Sequence, residues 1–142
     1  MKLTRTALLL ITSCILLSST CYKEPVSSCR ELTINNNTDK PVYTLYSLDY
    51  PDTSLNFQSP RINPNAKRIE AHSKQKIDPK YGGCLGTNLR VPGVQKLSVF
   101  VFDAQLVEST PWSQVRQNYL VQKRWDLNQD DLDNNNYLFN LQ

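Results

Sequence analysis

Apolar and polar positions alternate in the first strand-like segment after the N-terminal region. Leu32 and Ile34 alternate with polar residues, a polar stretch rich in Asn follows at 35–41, and apolar and aromatic residues resume over Val42–Leu48. Alternation with a period of two is typical of a half-buried strand, and Asn and Asp are common turn residues. The segment therefore predicts a β-hairpin.

The clearest single strand is Leu97–Phe102, which is apolar at consecutive positions and so predicts a central strand covered on both faces. Between Tyr50 and Lys96 the chain is irregular and carries most of the prolines. A long connection without structure is unusual in a compact domain, so we expect short strands inside it, near Arg68–Ala71 and Lys74–Ile77.

A short helix is predicted after the central strand. Thr110 is a suitable N-cap, and Pro111 suits the first helical position because its missing N–H has no partner there. Trp112, Val115 and Tyr119 then fall on one face. This helix should place Trp112 and Tyr119 on the sheet.

The remaining C-terminal segments predict a strand at Val121–Leu127, a capped helical turn at Asn128–Asp131, and a final strand at Tyr137–Leu141. Most steps between strands are too short for a parallel crossover. We therefore expect a mainly β fold, either an antiparallel β-sandwich or a single sheet with one or two short covering helices.

The N-terminus has the pattern of an export signal. Lys2 and Arg5 precede an apolar run over Ala7–Leu17, and a short polar stretch then leads to Cys21. A run of roughly 11 residues is about half of what a membrane-spanning helix needs. The pattern predicts a signal peptide that is removed, with lipid attached to Cys21.

The alternative attachment site is Cys14, which has the more usual small residue before it. Attachment there would leave the apolar Ile15–Leu17 on the mature chain, so we favour Cys21. A third possibility is an ordinary cleaved signal that yields a soluble periplasmic protein. The predicted organisation is a lipoprotein signal at 1–20, a tether at 21–28 and a single β-rich domain at 29–142.

The charge of the chain gives no support to nucleic-acid binding. The 142 residues carry 16 basic and 13 acidic side chains, a formal net charge of +3, and removal of Lys2 and Arg5 with the signal lowers this to +1. The middle of the chain is nevertheless basic. Its basic residues are Arg61, Lys67, Arg68, Lys74, Lys76, Lys80, Arg90 and Lys96. A solvated, loop-rich region explains this group of basic residues. The more specific alternative is a basic face that binds anionic glycans or lipid headgroups.

Two cysteines remain after lipid attachment, Cys29 and Cys84. An even pair in an oxidising compartment predicts one disulfide, and two free thiols are the alternative. A catalytic pair of Cys84 with His72, the only histidine, would need both side chains within hydrogen-bond reach, and a disulfide would consume the thiol. We therefore expect a protein that is not an enzyme and that needs no cofactor.

One segment resembles the beginning of a calcium loop. Asp126, Asn128 and Asp130 offer oxygen atoms at alternate positions. The match fails afterwards, because Asp131 stands where the loop needs Gly and Tyr137 where it needs Glu. Acidic residues at the start of a capped helix explain the pattern without a metal, so we predict no metal site there.

Several motifs of the mature region occur together in a known group of proteins. They are the strand end Phe102-Asp103-Ala104, the helix led by Trp112, the strand Lys123-Arg124-Trp125, the acidic turn Asp130-Asp131-Leu132 and the step Tyr50-Pro51-Asp52. In these motifs the chain resembles a group of short lipoproteins of unknown function found in Bacteroidota-type bacteria. The resemblance implies a lipid-anchored domain and no catalytic residues.

These features predict a lipid-anchored protein of the cell envelope, held at the outer membrane or facing the periplasm. Its tyrosines suit carbohydrate stacking and protein interfaces, although they suit half-buried sheet positions equally well. The function expected is a non-enzymatic binding or structural module for a glycan or an envelope protein, without nucleic acid. The alternative is an inhibitor or accessory subunit of an envelope enzyme.

Overall fold

The computed structural model describes residues 30–77, 89 and 96–142. Seven strands and three six-residue helices lie in this part of the chain. In chain order they are β1 (Leu32–Asn36), β2 (Val42–Ser47), β3 (Lys67–Ile69), β4 (Ser73–Ile77), β5 (Leu97–Asp103), α1 (Ala104–Ser109), α2 (Trp112–Gln117), β6 (Lys123–Leu127), α3 (Gln129–Asn134) and β7 (Leu138–Leu141).

The strands form two sheets, which confirms the mainly β fold with short helices. Sheet A has the order β4-β1-β7, and sheet B has the order β3-β2-β5-β6 with every pair antiparallel. In sheet A, β1 is antiparallel to β4 but parallel to β7. The expectation of antiparallel pairing alone is therefore wrong for β1 and β7, because the long connection between them passes through sheet B.

Sheet B is the middle layer of three. On one face its Val99 and Val101 share a hydrophobic core with Ile34 of sheet A. On the other face Phe100 packs in a second core with Val115 of α2. The prediction that Leu97–Phe102 is covered on both sides is confirmed.

The predicted hairpin of β1 and β2 is wrong, because the two strands belong to different sheets. The side chain of Asn36 is fully buried at the end of β1. Its Nδ2 donates to the carbonyls of Lys40 (2.8 Å) and Glu70 (3.0 Å), and its Oδ1 accepts from the backbone N of Thr38 (3.1 Å). The β1–β2 and β3–β4 connections both cross from one sheet to the other. The hydrogen bonds of Asn36 hold these two connections side by side.

The first two helices differ from the prediction. Helix α1 was not predicted, and Asp103 caps it by accepting from the N of Leu106 at 3.0 Å. Helix α2 begins at Trp112, with Pro111 as the N-cap residue, so the predicted start is one residue too early. Thr110 is the C-cap of α1 rather than the N-cap of α2.

The face predicted for α2 is correct only in part. Trp112 is half-buried against the second core of sheet B, as expected. Tyr119 lies beyond the end of the helix with φ of 48° and is 40% exposed, so the prediction that it packs on the sheet is wrong. In the part of the chain that the structure describes, no helix has the length and apolarity required to cross a membrane.

Candidate functional site

A cleft of about 430 Å³ lies beside β2, beneath the irregular segment 49–65. This volume is within the range of small-molecule sites. Its lining combines apolar side chains with carboxylate, amide and hydroxyl groups. The lining residues among those that the structure describes are Leu45, Tyr46, Ser47, Leu48, Asp49, Asp52, Asn56, Phe57, Asn63 and Asn65.

Arg124 holds one end of the segment against the edge of sheet B. Its Nη1 donates to the carbonyl of Asp52 at 2.7 Å and to the hydroxyl of Tyr119 at 3.0 Å. Its Nε donates to Asp126 Oδ1 at 2.8 Å, and its guanidinium lies 5.1 Å from the ring centroid of Phe100. One rigid fork therefore ties together a loop, a turn and two strands.

Helix α2 holds the middle of the segment. The indole Nε1 of Trp112 donates to the carbonyl of Phe57 at 2.9 Å, and the two rings lie 5.8 Å apart. The Phe57 ring is also 5.6 Å from the ring of Phe100. Arg116 donates to Asn56 Oδ1 at 2.7 Å. The wall of the cleft is thus fixed by aromatic packing and by hydrogen bonds to the helix.

Three polar groups of the lining have hydrogen-bonding capacity to spare. Asn56 and Asn63 use their Oδ1 atoms, for Arg116 and for the backbone N of Asn65. Among the described residues, neither their Nδ2 atoms nor the carboxylate of Asp49 has a hydrogen-bond partner. Donors and acceptors are therefore available to a ligand.

The electrostatics of the cleft disfavour an anionic ligand. Asp49 and Asp52 contribute carboxylates, and no Lys or Arg is among the described lining residues. Tyr50, between these two residues in sequence, is 36% exposed, and Lys96 Nζ lies 5.1 Å from its ring centroid. The cleft thus offers acceptors and amide donors, with an exposed tyrosine close by in sequence.

The segment that resembled a calcium loop serves other purposes in the structure. Asp126 Oδ1 accepts from Ser98 Oγ (2.6 Å) and from Arg124. Asn128 caps α3 in a reciprocal capping box with Asp131, which confirms the predicted helix start, and Asp130 is exposed in its first turn. Within residues 30–77, 89 and 96–142, no three His, Cys, Asp or Glu side chains are placed to hold a metal ion.

Opposing effects set the pKa of Asp126. Burial raises it, but the hydrogen bonds from Ser98 and Arg124 and the positive charge of Arg124 outweigh burial. The pKa of this carboxyl group therefore lies below its ordinary value, and the ion pair with Arg124 stays formed at neutral pH.

The basic residues of the middle region do not form one surface where the structure describes them. Lys74 and Lys76 lie on β4 of sheet A, whereas Arg68 lies on β3 of sheet B and pairs with Glu70 and Glu108. The predicted basic residues Lys80 and Arg90 lie outside the described residues. The single basic face expected as the sharper alternative is therefore divided between the two sheets.

His72 forms an exposed contact with Asp39, Nε2 to Oδ1 at 2.9 Å. Cys84, with which His72 was not expected to form a catalytic pair, lies outside the described residues, as do Cys14, Cys21 and Cys29. The lipid-attachment site and the disulfide of Cys29 with Cys84 stay predictions.

Sequence reasoning missed the residues of the cleft, Asn56 and Asn63 among them. They lie in the stretch that was interpreted as irregular, and no motif spacing marks them. Comparison of the chain with family models, with curated proteins and with solved structures finds no match in any of the three. The resemblance to short lipoproteins also stays a prediction.

Proposed function

We propose that the protein is a lipid-anchored, non-enzymatic module of the cell envelope that binds a neutral glycan in the cleft beneath segment 49–65. The single observation that carries the proposal is the lining of this cleft, where spare amide and carboxylate groups lie beside apolar side chains.

The chemistry of the lining suits sugar hydroxyl groups. A hydroxyl both donates and accepts, so it can bond the Asp49 carboxylate and the amide nitrogens of Asn56 and Asn63 at the same time. The two carboxylates make a neutral glycan the better ligand than an anionic one.

The rigidity of the cleft also supports a binding role. Arg124 and Trp112 fix segment 49–65 at two points before any ligand arrives. A site already held in its binding geometry loses less conformational entropy on binding, so a few polar contacts suffice for measurable affinity.

The envelope location rests on the N-terminal pattern of the sequence. A cationic start, a short apolar run and Cys21 are typical of a bacterial lipoprotein signal. A lipid anchor would hold the glycan-binding cleft close to the envelope polymers and would raise their effective concentration at the site.

The test is titration calorimetry of the processed chain with neutral oligosaccharides of hexoses and N-acetylhexosamines. The informative variant is Asp49→Ala, because this exposed side chain has no partner among the described residues and its loss should leave folding intact. A hydrogen bond to a charged group contributes about 1.5–3 kcal/mol, so the variant should bind at least about tenfold more weakly.

The matched control is Asp130→Ala, which removes the same charge from an exposed position on α3, away from the cleft. It should bind like the unchanged protein, and an oligosaccharide carrying uronic acids should bind more weakly than a neutral one. The proposal is refuted if no neutral glycan binds, or if the two aspartate variants bind equally well.

A second candidate is the inhibitor or accessory subunit, and one observation favours it. Ile62 is 72% exposed in the turn at 59–63. It borders a groove of about 620 Å³ that Arg61 and Trp112 also line. An exposed aliphatic side chain beside a groove is a feature of protein interfaces.

This second function predicts that a specific envelope protein co-purifies from detergent-solubilised membranes. Ile62→Asn should abolish that co-purification and leave glycan binding unchanged. If the unchanged chain retains no protein, or if Ile62→Asn retains the protein fully, the hypothesis that the chain binds a partner enzyme through this groove is refuted.

A further inference from the structure

The outer face of sheet A is polar and basic. Within this sheet the inward side chains, such as Leu32 and Ile34, are buried, while the alternate positions point away from sheet B. The strand register places these outward residues side by side. They are Thr33, Asn35, Lys74, Lys76, Leu138 and Asn140.

The face is exposed and carries positive charge. Lys74, Lys76, Leu138 and Asn140 are exposed, and Asn35 Nδ2 donates to Asn140 Oδ1 at 2.9 Å across the face. At the end of the face where β1 begins, Arg30 lies 5.6 Å from the ring centroid of Tyr137.

The charge balance of this region is positive. Its three cations are Lys74, Lys76 and Arg30. Among the described residues, only Lys76 has an acidic partner, Glu31. Two positive charges, those of Lys74 and Arg30, are thus left over on one side of the sandwich.

The position of this face relative to the predicted anchor is the second observation. Nine residues, 21–29, separate the start of the described chain from the lipid, and they reach at most about 30 Å when fully extended. Strand β1 follows directly and is the central strand of sheet A. The predicted anchor is therefore joined to the chain directly before sheet A, whose outer face carries the surplus of cations.

We propose that the outer face of sheet A lies on the anionic lipid headgroups of the membrane that holds the anchor. The inference rests on the proposed lipid anchor. Because sheet B separates this face from α1 and α2, the arrangement turns these two helices away from the membrane, toward the envelope polymers.

The test uses the processed full chain in nanodiscs that contain a small fraction of headgroup spin-labelled lipid. With phosphatidylglycerol in the disc, paramagnetic broadening of amide signals should be strongest on β4 and β7 and weakest on α1 and α2. Pure phosphatidylcholine discs, or 0.5 M salt, should remove this difference, because exposed charges are screened within a few ångströms at high salt.

Lys74→Gln should lower the equilibrium constant of the docked orientation about fivefold, which corresponds to ~1 kcal/mol for one cation at an anionic surface. The matched control is Lys123→Gln, which removes an exposed lysine from β6 of sheet B and should change nothing.

The possible failures are distinguishable. If the chain leaves the discs in high salt, the lipid anchor is absent and the inference fails with it. If the chain stays bound but broadening is equal on β4 and α2, or is the same with and without phosphatidylglycerol, the anchor stands and the docking face is refuted. Glycan binding is measured by titration in solution without discs, so that test of the proposed function is independent of both results.

Discussion

Replacing Asn36 with Ala should destabilise the domain far more than its size suggests. The side chain is fully buried, and it makes good hydrogen bonds with Lys40, Thr38 and Glu70. Alanine leaves the two carbonyls and the N–H of Thr38 without these partners.

The magnitude follows from the number of bonds. Two donated bonds at 2.8 and 3.0 Å and two accepted from Thr38 at 3.1 and 2.7 Å contribute about 1 kcal/mol each. Since some of these groups are only partly buried and regain water, the loss should be about 2–4 kcal/mol. That is a large part of the 5–15 kcal/mol typical of a domain.

The measurement is equilibrium urea unfolding followed by circular dichroism, with the neighbouring Asn35→Ala as the control. Asn35 makes one exposed bond to Asn140, so its replacement should cost no more than about 0.5 kcal/mol. Asn36→Asp keeps the shape and loses the donor, so it should be as damaging as alanine. Equal stability of Asn35→Ala and Asn36→Ala would refute the crossover role of Asn36.

Three further outcomes are expected. The pKa of Asp126 in the folded protein is lower than its ordinary value of about 4, so the ionised carboxylate stabilises the fold above that pH. This contribution to stability is lost as the pH falls through the pKa of the folded state. Asp126→Asn should therefore flatten the pH dependence of the melting temperature between about pH 5 and 3. Arg124→Lys should keep the charge but lose the fork that bonds Asp52 and Tyr119, so amide hydrogen exchange in segment 49–65 should accelerate while that of β5 stays slow. Cys21→Ala should move the protein from the membrane fraction to the soluble fraction, and persistence in membranes would contradict lipid attachment at that residue.

Sequence patterns predicted the features that depend on neighbouring residues. The two-sided apolar run at Leu97–Phe102 implied a strand covered on both faces, and Asn128 with Asp131 implied a capped helix. Both follow from chemistry within a few residues, and both are confirmed. The prediction of a β1–β2 hairpin was wrong, because the alternation of apolar and polar residues shows which face of a strand is buried and not which sheet the strand joins.

The candidate site could not be predicted because its geometry depends on long-range contacts. Arg124 bonds the carbonyl of Asp52, 72 residues earlier, and Trp112 bonds that of Phe57, 55 residues earlier. Nothing in the local sequence around Asn56 or Asn63 distinguishes a cleft wall from an ordinary loop. The fold class was therefore accessible from the sequence, and the cleft was not.

The parallel pairing of β1 with β7 has a consequence for how the domain assembles. Asn35 and Asn140 meet across this pair although 105 residues separate them in the chain. Contacts between such distant residues form slowly, because a long loop must close before they contribute. Strand β1 therefore stays without its parallel neighbour until the last strand of the chain is available, whereas its antiparallel neighbour β4 and all of sheet B precede that strand.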